Sequence, residues 1–148
     1  MERALAVVDA EESTKALVRE AGELAAAVDA SLVLLHVTTD DEYEEKRQTM
    51  ESIPNDAVGY SEEKAREGAE AFAADIGREA LDGIDVSWEA VGALGNEQTE
   101  ILDAAERYDC DHLFIAGKKR SPAGKALFGD LTQSIILNFD GPVTVVTE

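Results

Sequence analysis

Ser31-Leu32-Val33-Leu34-Leu35-His36-Val37 decides the fold. The run is strand-length, almost wholly aliphatic and does not alternate with polar residues. A strand with one wet face alternates; an unbroken apolar run is expected where both faces are covered, as in a parallel sheet flanked by helices. Upstream, Arg3 to Val8 is a second short apolar run, ended by Asp9. Between the two, Glu11 to Asp29 places Ala16, Leu17, Leu24, Ala27 and Val28 at helical spacing. Downstream, Thr38 to Tyr60 is polar and acidic, with Pro54-Asn55-Asp56 as a turn, and is expected to be a long irregular loop. A helix follows from Ser61 to about Leu81, broken by Asp82-Gly83, and then a third strand from Asp85 to Val91. Asn96 is placed to cap a helix over Glu97 to Tyr108. His112 to Ala116 is a fourth strand, Asp130 to Asn138 a short helix, and Val143 to Thr147 a last strand after the turn Asp140-Gly141-Pro142. Strands alternating with helices require crossovers, hence an α/β three-layer sandwich around a parallel sheet.

The chain has 148 residues, the size of one domain, and no linker, repeat or low-complexity segment divides it, so residues 1–148 are expected to form a single domain. Its 32 acidic residues against 13 basic ones give a net charge of −19. That excludes a nucleic-acid binder held by net charge and disfavours docking on anionic lipid. No apolar run is long enough to span a membrane. The apolar stretch at the start is too short for a secretory signal, and a lone cysteine makes no internal disulfide, so the expectation is a cytoplasmic protein. Such an acidic domain repels itself in dilute buffer and is relieved by salt, where the Debye length falls to roughly 3 Å at 1 M. With only six lysines, the composition points to a halophile's cytosol.

In an open parallel sheet, ligands bind beyond the carboxyl ends of the strands. Here those ends are Asp9-Ala10, Val37-Thr38, Gly92 to Gly95, and Ala116 to Arg120. The last leads into Gly117-Lys118-Lys119-Arg120-Ser121-Pro122-Ala123-Gly124-Lys125, which gathers four of the 13 basic residues into eight positions. A positive, glycine-bearing turn before a helix N-terminus is suited to an anion such as phosphate. The bland alternative is a solvated loop paired with the protein's own acids. No Gly-Lys-Ser/Thr tripeptide closes the segment, so it is not a Walker A loop.

These features together resemble the universal stress protein family. The resemblance covers the whole chain: an opening strand ending in Asp9, a His36-Val37 strand end, Gly95 ahead of Ile101, Cys110-Asp111-His112-Leu113-Phe114-Ile115-Ala116-Gly117 with its basic turn, and Gly141-Pro142-Val143-Thr144-Val145-Val146. It implies a Rossmann-like, adenine-nucleotide-hydrolase-like fold with a five-stranded parallel sheet of order 3-2-1-4-5, and homodimers paired through their last strands. It also implies a Gly-x2-Gly-x9-Gly-Ser/Thr loop cradling the phosphates and ribose of ATP. Gly117 matches the first glycine and Gly129 the third, but Arg120 stands at the second, the spacing is one residue short, and Asp130 replaces the Ser/Thr. An aspartate facing a phosphate at about 4 Å costs about 4 kcal/mol at an effective dielectric near 20. Asp130 is then either a cap of the short helix or a holder of Mg2+ between itself and the phosphates. Carried over by position, Asp9 and Ala10 would lie beside the adenosine, Val37 against the adenine, and Ala116 and Gly117 along the ribose and α-phosphate. Gly129, Asp130, Leu131 and Thr132 would meet the phosphates, with the Thr132 hydroxyl donating, and Arg120 would either pair with a phosphate or block it.

Other constellations carry less. His36, His112 and Cys110 lack zinc spacing and read as structural, and two histidines give a catalytic triad little to work with. Trp88 is assigned to core or dimer packing, the acids of Asp40 to Glu45 to a solvated face, and Pro122 to stiffening its loop. An apolar last strand at a sheet edge must be paired or covered, which supports a homodimer through Val143 to Val146. The expected function is therefore a dimeric stress-response module that binds ATP or another adenine nucleotide and is not an enzyme beyond a slow ATP hydrolysis at most. The alternative is a family member without nucleotide, acting as a dimeric interaction module. A metabolic enzyme of the wider superfamily is disfavoured because no added catalytic segment is present.

Overall fold

A computed structural model describes residues 1–52, 59–117 and 128–147. The element order is β1 (Arg3–Val7), α1 (Thr14–Ala27), β2 (Ser31–Thr38), α2 (Asp40–Glu51), α3 (Glu62–Ala80), β3 (Trp88–Leu94), α4 (Glu97–Arg107), β4 (His112–Gly117), α5 (Asp130–Asn138) and β5 (Val143–Thr147). The five strands form one sheet of order β3-β2-β1-β4-β5. Every pairing is parallel, from Ala4 opposite Leu32 on one side of β1 to Ala4 opposite His112 on the other.

The unbroken apolar runs are explained by burial on both faces. Ala4, Ala6, Val8, Leu32, Leu34 and Phe114 point towards α1 and α3, where Leu17, Val18, Ala21, Ala73 and Ile76 meet them. The intervening Leu5, Val7, Val33, Leu35, Val37, Leu113 and Ile115 pack with Ile101, Ala104 and Ile135 of α4 and α5. Burying each Leu or Phe is worth about 1.5–3 kcal/mol, so the two layers supply most of the drive to fold.

Helix α3 lies unusually close to the sheet because its inner stripe is Ala65, Ala69, Ala73 and Gly77. A Cβ on Gly77 would stand 2.5 Å from the Trp88 ring, and one on Gly92 would stand 2.1 Å from the Arg66 carbonyl oxygen. Trp88 fills the space opposite Gly77 as core packing, one of the two roles expected of it.

Two boundaries differ from expectation. The segment expected to be an irregular loop contains α2, in which all but Tyr43 and Met50 are polar and whose start is fixed by a capping box: the Thr39 hydroxyl accepts from Glu42 N at 3.2 Å while the Glu42 carboxylate accepts from Thr39 N at 3.2 Å. Arg47 pairs with Glu44 and, at 2.7 Å, with Glu51 on the same helix. No residue of α2 is buried, so there is no apolar period to read. Strand β3 begins at Trp88 rather than Asp85, because pairing with β2 starts at Leu32 opposite Trp88 and the preceding residues turn back on themselves through Val86 N to Ile84 O at 3.1 Å. The expected cap at Asn96 is present, accepting from Thr99 N at 3.1 Å, and Ser61, where a helix was expected to open, caps α3 by accepting from Lys64 N at 3.2 Å.

Candidate functional site at the carboxyl edge of the sheet

Parallel strands bring all their carboxyl ends, and the amino ends of the helices that follow, to one edge. Between β2, β3 and α5 this edge opens into a cleft of about 470 Å³, lined by Thr39, Asp40 and Asp41, by Gly95 to Gln98, and by Asp130 and Leu131. Three helix N-termini converge on it: α2 capped by Thr39, α4 capped by Asn96, and α5 preceded by Gly129. Each contributes roughly half a positive charge through its unpaired N–H groups. Four carboxylates line the same cleft. Glu97 is half-buried, and burial pushes its carboxyl above the usual range, with Glu42 and Asp9 adding to the rise and His36 opposing it.

Of the residues expected at the site, Asp130 and Leu131 line this cleft. Asp130 is the first residue of α5 and not its cap, since Gly129 holds that position and offers no side chain. Ala116 instead lines a second cleft of about 380 Å³ on the α1 side, with Leu17 and Val146. Asp9 and Val37 lie at the ends of β1 and β2. The Asp9 carboxylate accepts from Glu11 N at 2.9 Å, and Asp9 N donates to the Thr14 hydroxyl at 3.0 Å, so this residue shapes the turn into α1. Ala10 is exposed in that turn, and Val37 is buried among the α4-side core residues. Gly117 ends β4, and a Cβ there would stand 2.4 Å from Val145 Cγ1. Thr132, expected to donate to phosphate, is buried, and its hydroxyl donates to the Ala116 carbonyl oxygen at 3.0 Å. Arg120, with Lys118, Lys119, Pro122, Gly124 and Lys125, lies outside the described residues. Sequence reasoning passed over Glu97 and Gln98 as site residues. The available signal was their place directly after a strand end and cap, on the edge already marked as the binding edge.

The histidines and the cysteine are accounted for by structure. His36 Nδ1 donates to the Val8 carbonyl oxygen at 2.7 Å and its ring lies 4.6 Å from that of Phe72. His112 Nε2 shares a 2.7 Å hydrogen bond with the Thr144 hydroxyl, and burial pushes its pKa down, holding it neutral. Burial raises the Cys110 thiol to about 11, too high for a nucleophile at neutral pH. Among the described residues no three His, Cys, Asp or Glu side chains are grouped to hold a metal. No helix among them is long and apolar enough to cross a membrane.

A doubly wound parallel sheet of order 3-2-1-4-5 with its crevice at the carboxyl edge defines the Rossmann-like class of α/β domains. Within that class the chain belongs to the universal stress protein family, whose pattern it matches over residues 1–147. Solved structures agree in fold. The universal stress protein UspA from Lactobacillus plantarum is 20% identical, with 98% of this chain and 97% of that one covered and a TM-score of 0.68. A universal stress protein solved in complex with cAMP is 16% identical, covering 99% and 96%, with a TM-score of 0.66. The universal stress protein from Archaeoglobus fulgidus in complex with dAMP is 17% identical, covering 98% and 96%, with a TM-score of 0.57. No curated protein matches the chain in sequence.

Proposed function

We propose that this chain, acting as one domain, binds an adenine nucleotide in the carboxyl-edge cleft and serves in the cytoplasm as a homodimeric stress-response or signalling module. The observation that carries this is the convergence of three helix N-termini, at Thr39, Asn96 and Gly129, on one cleft of about 470 Å³ at the ligand-binding edge of a parallel sheet. That two members of the same family were solved with cAMP and with dAMP supports the adenine nucleotide as ligand. The role is binding, with slow hydrolysis at most: the histidines are engaged structurally, and among the described residues no general base is assigned to act on a terminal phosphate. The homodimer is assigned to the edge strand β5, which carries Val143, Thr144, Val145 and Val146 and no charge in a molecule of net charge −19.

One observation favours a second function, that of a dimeric interaction module without nucleotide: the cleft is lined by Asp40, Asp41, Glu97 and Asp130, which oppose a phosphate tail. Isothermal titration with ATP, ADP and AMP, with and without Mg2+, in 2 M KCl separates the two. Saturable heat with any of them is the expected result. Silence from the native chain together with ATP binding by Asp130→Ser gives the second function. Sedimentation at the same salt is expected to show a dimer, and a monomer alone would remove the β5 assignment.

A further inference from the structure

We propose that helix α2 is a lid on the carboxyl-edge cleft, hinged at Thr39 and held shut by a latch in which Tyr43 stacks on Tyr60 and Lys46 sits over the Tyr60 ring. The lid goes beyond the nucleotide-binding function proposed above and stands whatever ligand the cleft takes.

Helix α2 supports itself from within. The Thr39–Glu42 capping box closes its start, and Arg47 pairs with Glu44 and Glu51 along its length. None of its residues is buried, and neither core layer draws on it. Among the described residues, a single cluster ties its side chains to another element. The Tyr43 and Tyr60 rings stack with centroids 5.4 Å apart, the Tyr43 hydroxyl donates to the Tyr60 carbonyl oxygen at 3.5 Å, and Lys46 Nζ stands 4.9 Å from the centre of the Tyr60 ring. Tyr60 is anchored in its turn, because the next residue, Ser61, caps α3.

The hinge follows from where the sheet stops. Thr38 is still in β2, opposite Leu94, and its carbonyl oxygen accepts from Gly95 N at 3.0 Å. Asp40 is already helical, so Thr39 alone, extended at φ −75° and ψ 160°, joins strand to helix. A rotation there swings α2 without breaking a strand pairing, as hinge residues at element ends do. Asp40 and Asp41, which line the cleft together with Gly95 to Gln98, move with it and leave that side open. Stacked rings and a cation over a ring each shift a closed-to-open ratio by about two- to tenfold, so this opening lies at the low end of the local motions of a folded domain. A released helix of 12 residues is marginal by itself, which exposes its amides to exchange.

Hydrogen–deuterium exchange on the full chain tests this. The α2 amides are expected to exchange together, about tenfold or more faster than those of α1 and α3. Tyr60→Ala should speed them by about a further tenfold and leave β1, β2 and β4 unchanged, while Tyr60→Phe, which keeps the ring, should stay within about twofold of the native chain. Access to the cleft is read separately on Gln98→Cys, with native Cys110 replaced by serine. A thiol reagent should label it about threefold or more faster when Tyr60→Ala is added than when Tyr60→Phe is. Exchange of α2 at the rate of α1, or unmoved by Tyr60→Ala, overturns the latch. Acceleration spread through the whole sheet overturns it as well, since Tyr60 would then hold the fold and not a lid. Equal labelling of Gln98→Cys in the two backgrounds overturns the lid.

Discussion

The Thr132 hydroxyl donates to the Ala116 carbonyl oxygen at 3.0 Å, tying the first turn of α5 to the end of β4. Thr132 is only 5% exposed, so the bond is formed out of water. Thr132→Val should cost about 1–2 kcal/mol in urea denaturation, because it strips the Ala116 carbonyl of this donor. Thr132→Ser keeps the bond and loses one buried methyl, about 1 kcal/mol. Because the proton is already committed within the fold, Thr132→Val should leave AMP affinity within about threefold, well under the 1.4 kcal/mol that a tenfold change represents. A larger drop in titration would mean that the hydroxyl turns to the ligand.

Gly92 and Gly129 make opposite predictions. A Cβ on Gly92 would meet backbone atoms of α3, Arg66 O at 2.1 Å and Glu70 N at 2.3 Å, which cannot give way without moving the helix. Gly92→Ala should lose about 3 kcal/mol or more, or fail to fold. At Gly129 the backbone has φ −61° and nothing among the described residues stands within 4 Å of a Cβ. Gly129→Ala should stay within about 0.5 kcal/mol of the native chain in a thermal melt. A loss of nucleotide affinity in that variant would therefore report on the ligand and not on the fold.

Two carboxylates bias stability in opposite directions with pH. The folded pKa of Glu97 is raised, chiefly by burial, so the folded chain holds this proton more tightly than the unfolded one. Its contribution is present below the ordinary glutamate range and lost as pH rises through the raised folded value. Asp111 is the reverse: its carboxylate accepts from Glu2 N at 2.9 Å and Arg3 N at 3.3 Å, which lowers its pKa. Its contribution is present above the ordinary aspartate range and lost as pH falls through the lowered folded value. Glu97→Gln should therefore gain stability relative to the native chain at pH 7 and lose that advantage at pH 4. Asp111→Asn should lose stability at pH 7 and much less near pH 3. Denaturation midpoints at the two ends of each range check both signs.

Salt should stabilise the native chain. The ion pairs among the described residues lie at the surface, as with Lys15 and Glu79 at 3.0 Å, and contribute little each. The dominant electrostatic feature is the net charge of −19. Raising KCl from 0.1 to 2 M should lift the melting temperature by on the order of 10 °C. Equal melts at both concentrations would discard the expectation of a halophile's protein.

Of the ten elements among the described residues, nine were legible in sequence because each sets apolar side chains, buried or, in β3 and β5, partly buried, against its neighbours, which leaves an apolar period or an unbroken run. The binding edge was legible for a topological reason: parallel strands must end together. What was not legible depended on contacts without a hydrophobic signature. Helix α2 is held by a cap, by charge pairs along one helix, and by the stacking of Tyr43 on Tyr60 with ring centroids 5.4 Å apart. The direction of the Thr132 hydroxyl likewise depends on how α5 sits against β4, which no residue pattern encodes. Glu97 was visible as a helix start, yet its half-burial within reach of the charges of Glu42 and Asp9 required three distant chain segments to be brought together.

Helix α2 leans on the rest of the molecule so lightly that it is almost an appendage. Its outward positions therefore offer an attachment point. A dye or affinity label fixed at exposed Glu45 or Gln48 would ride on an ordered segment whose first turn walls the cleft, and would signal ligand arrival without disturbing a single core side chain.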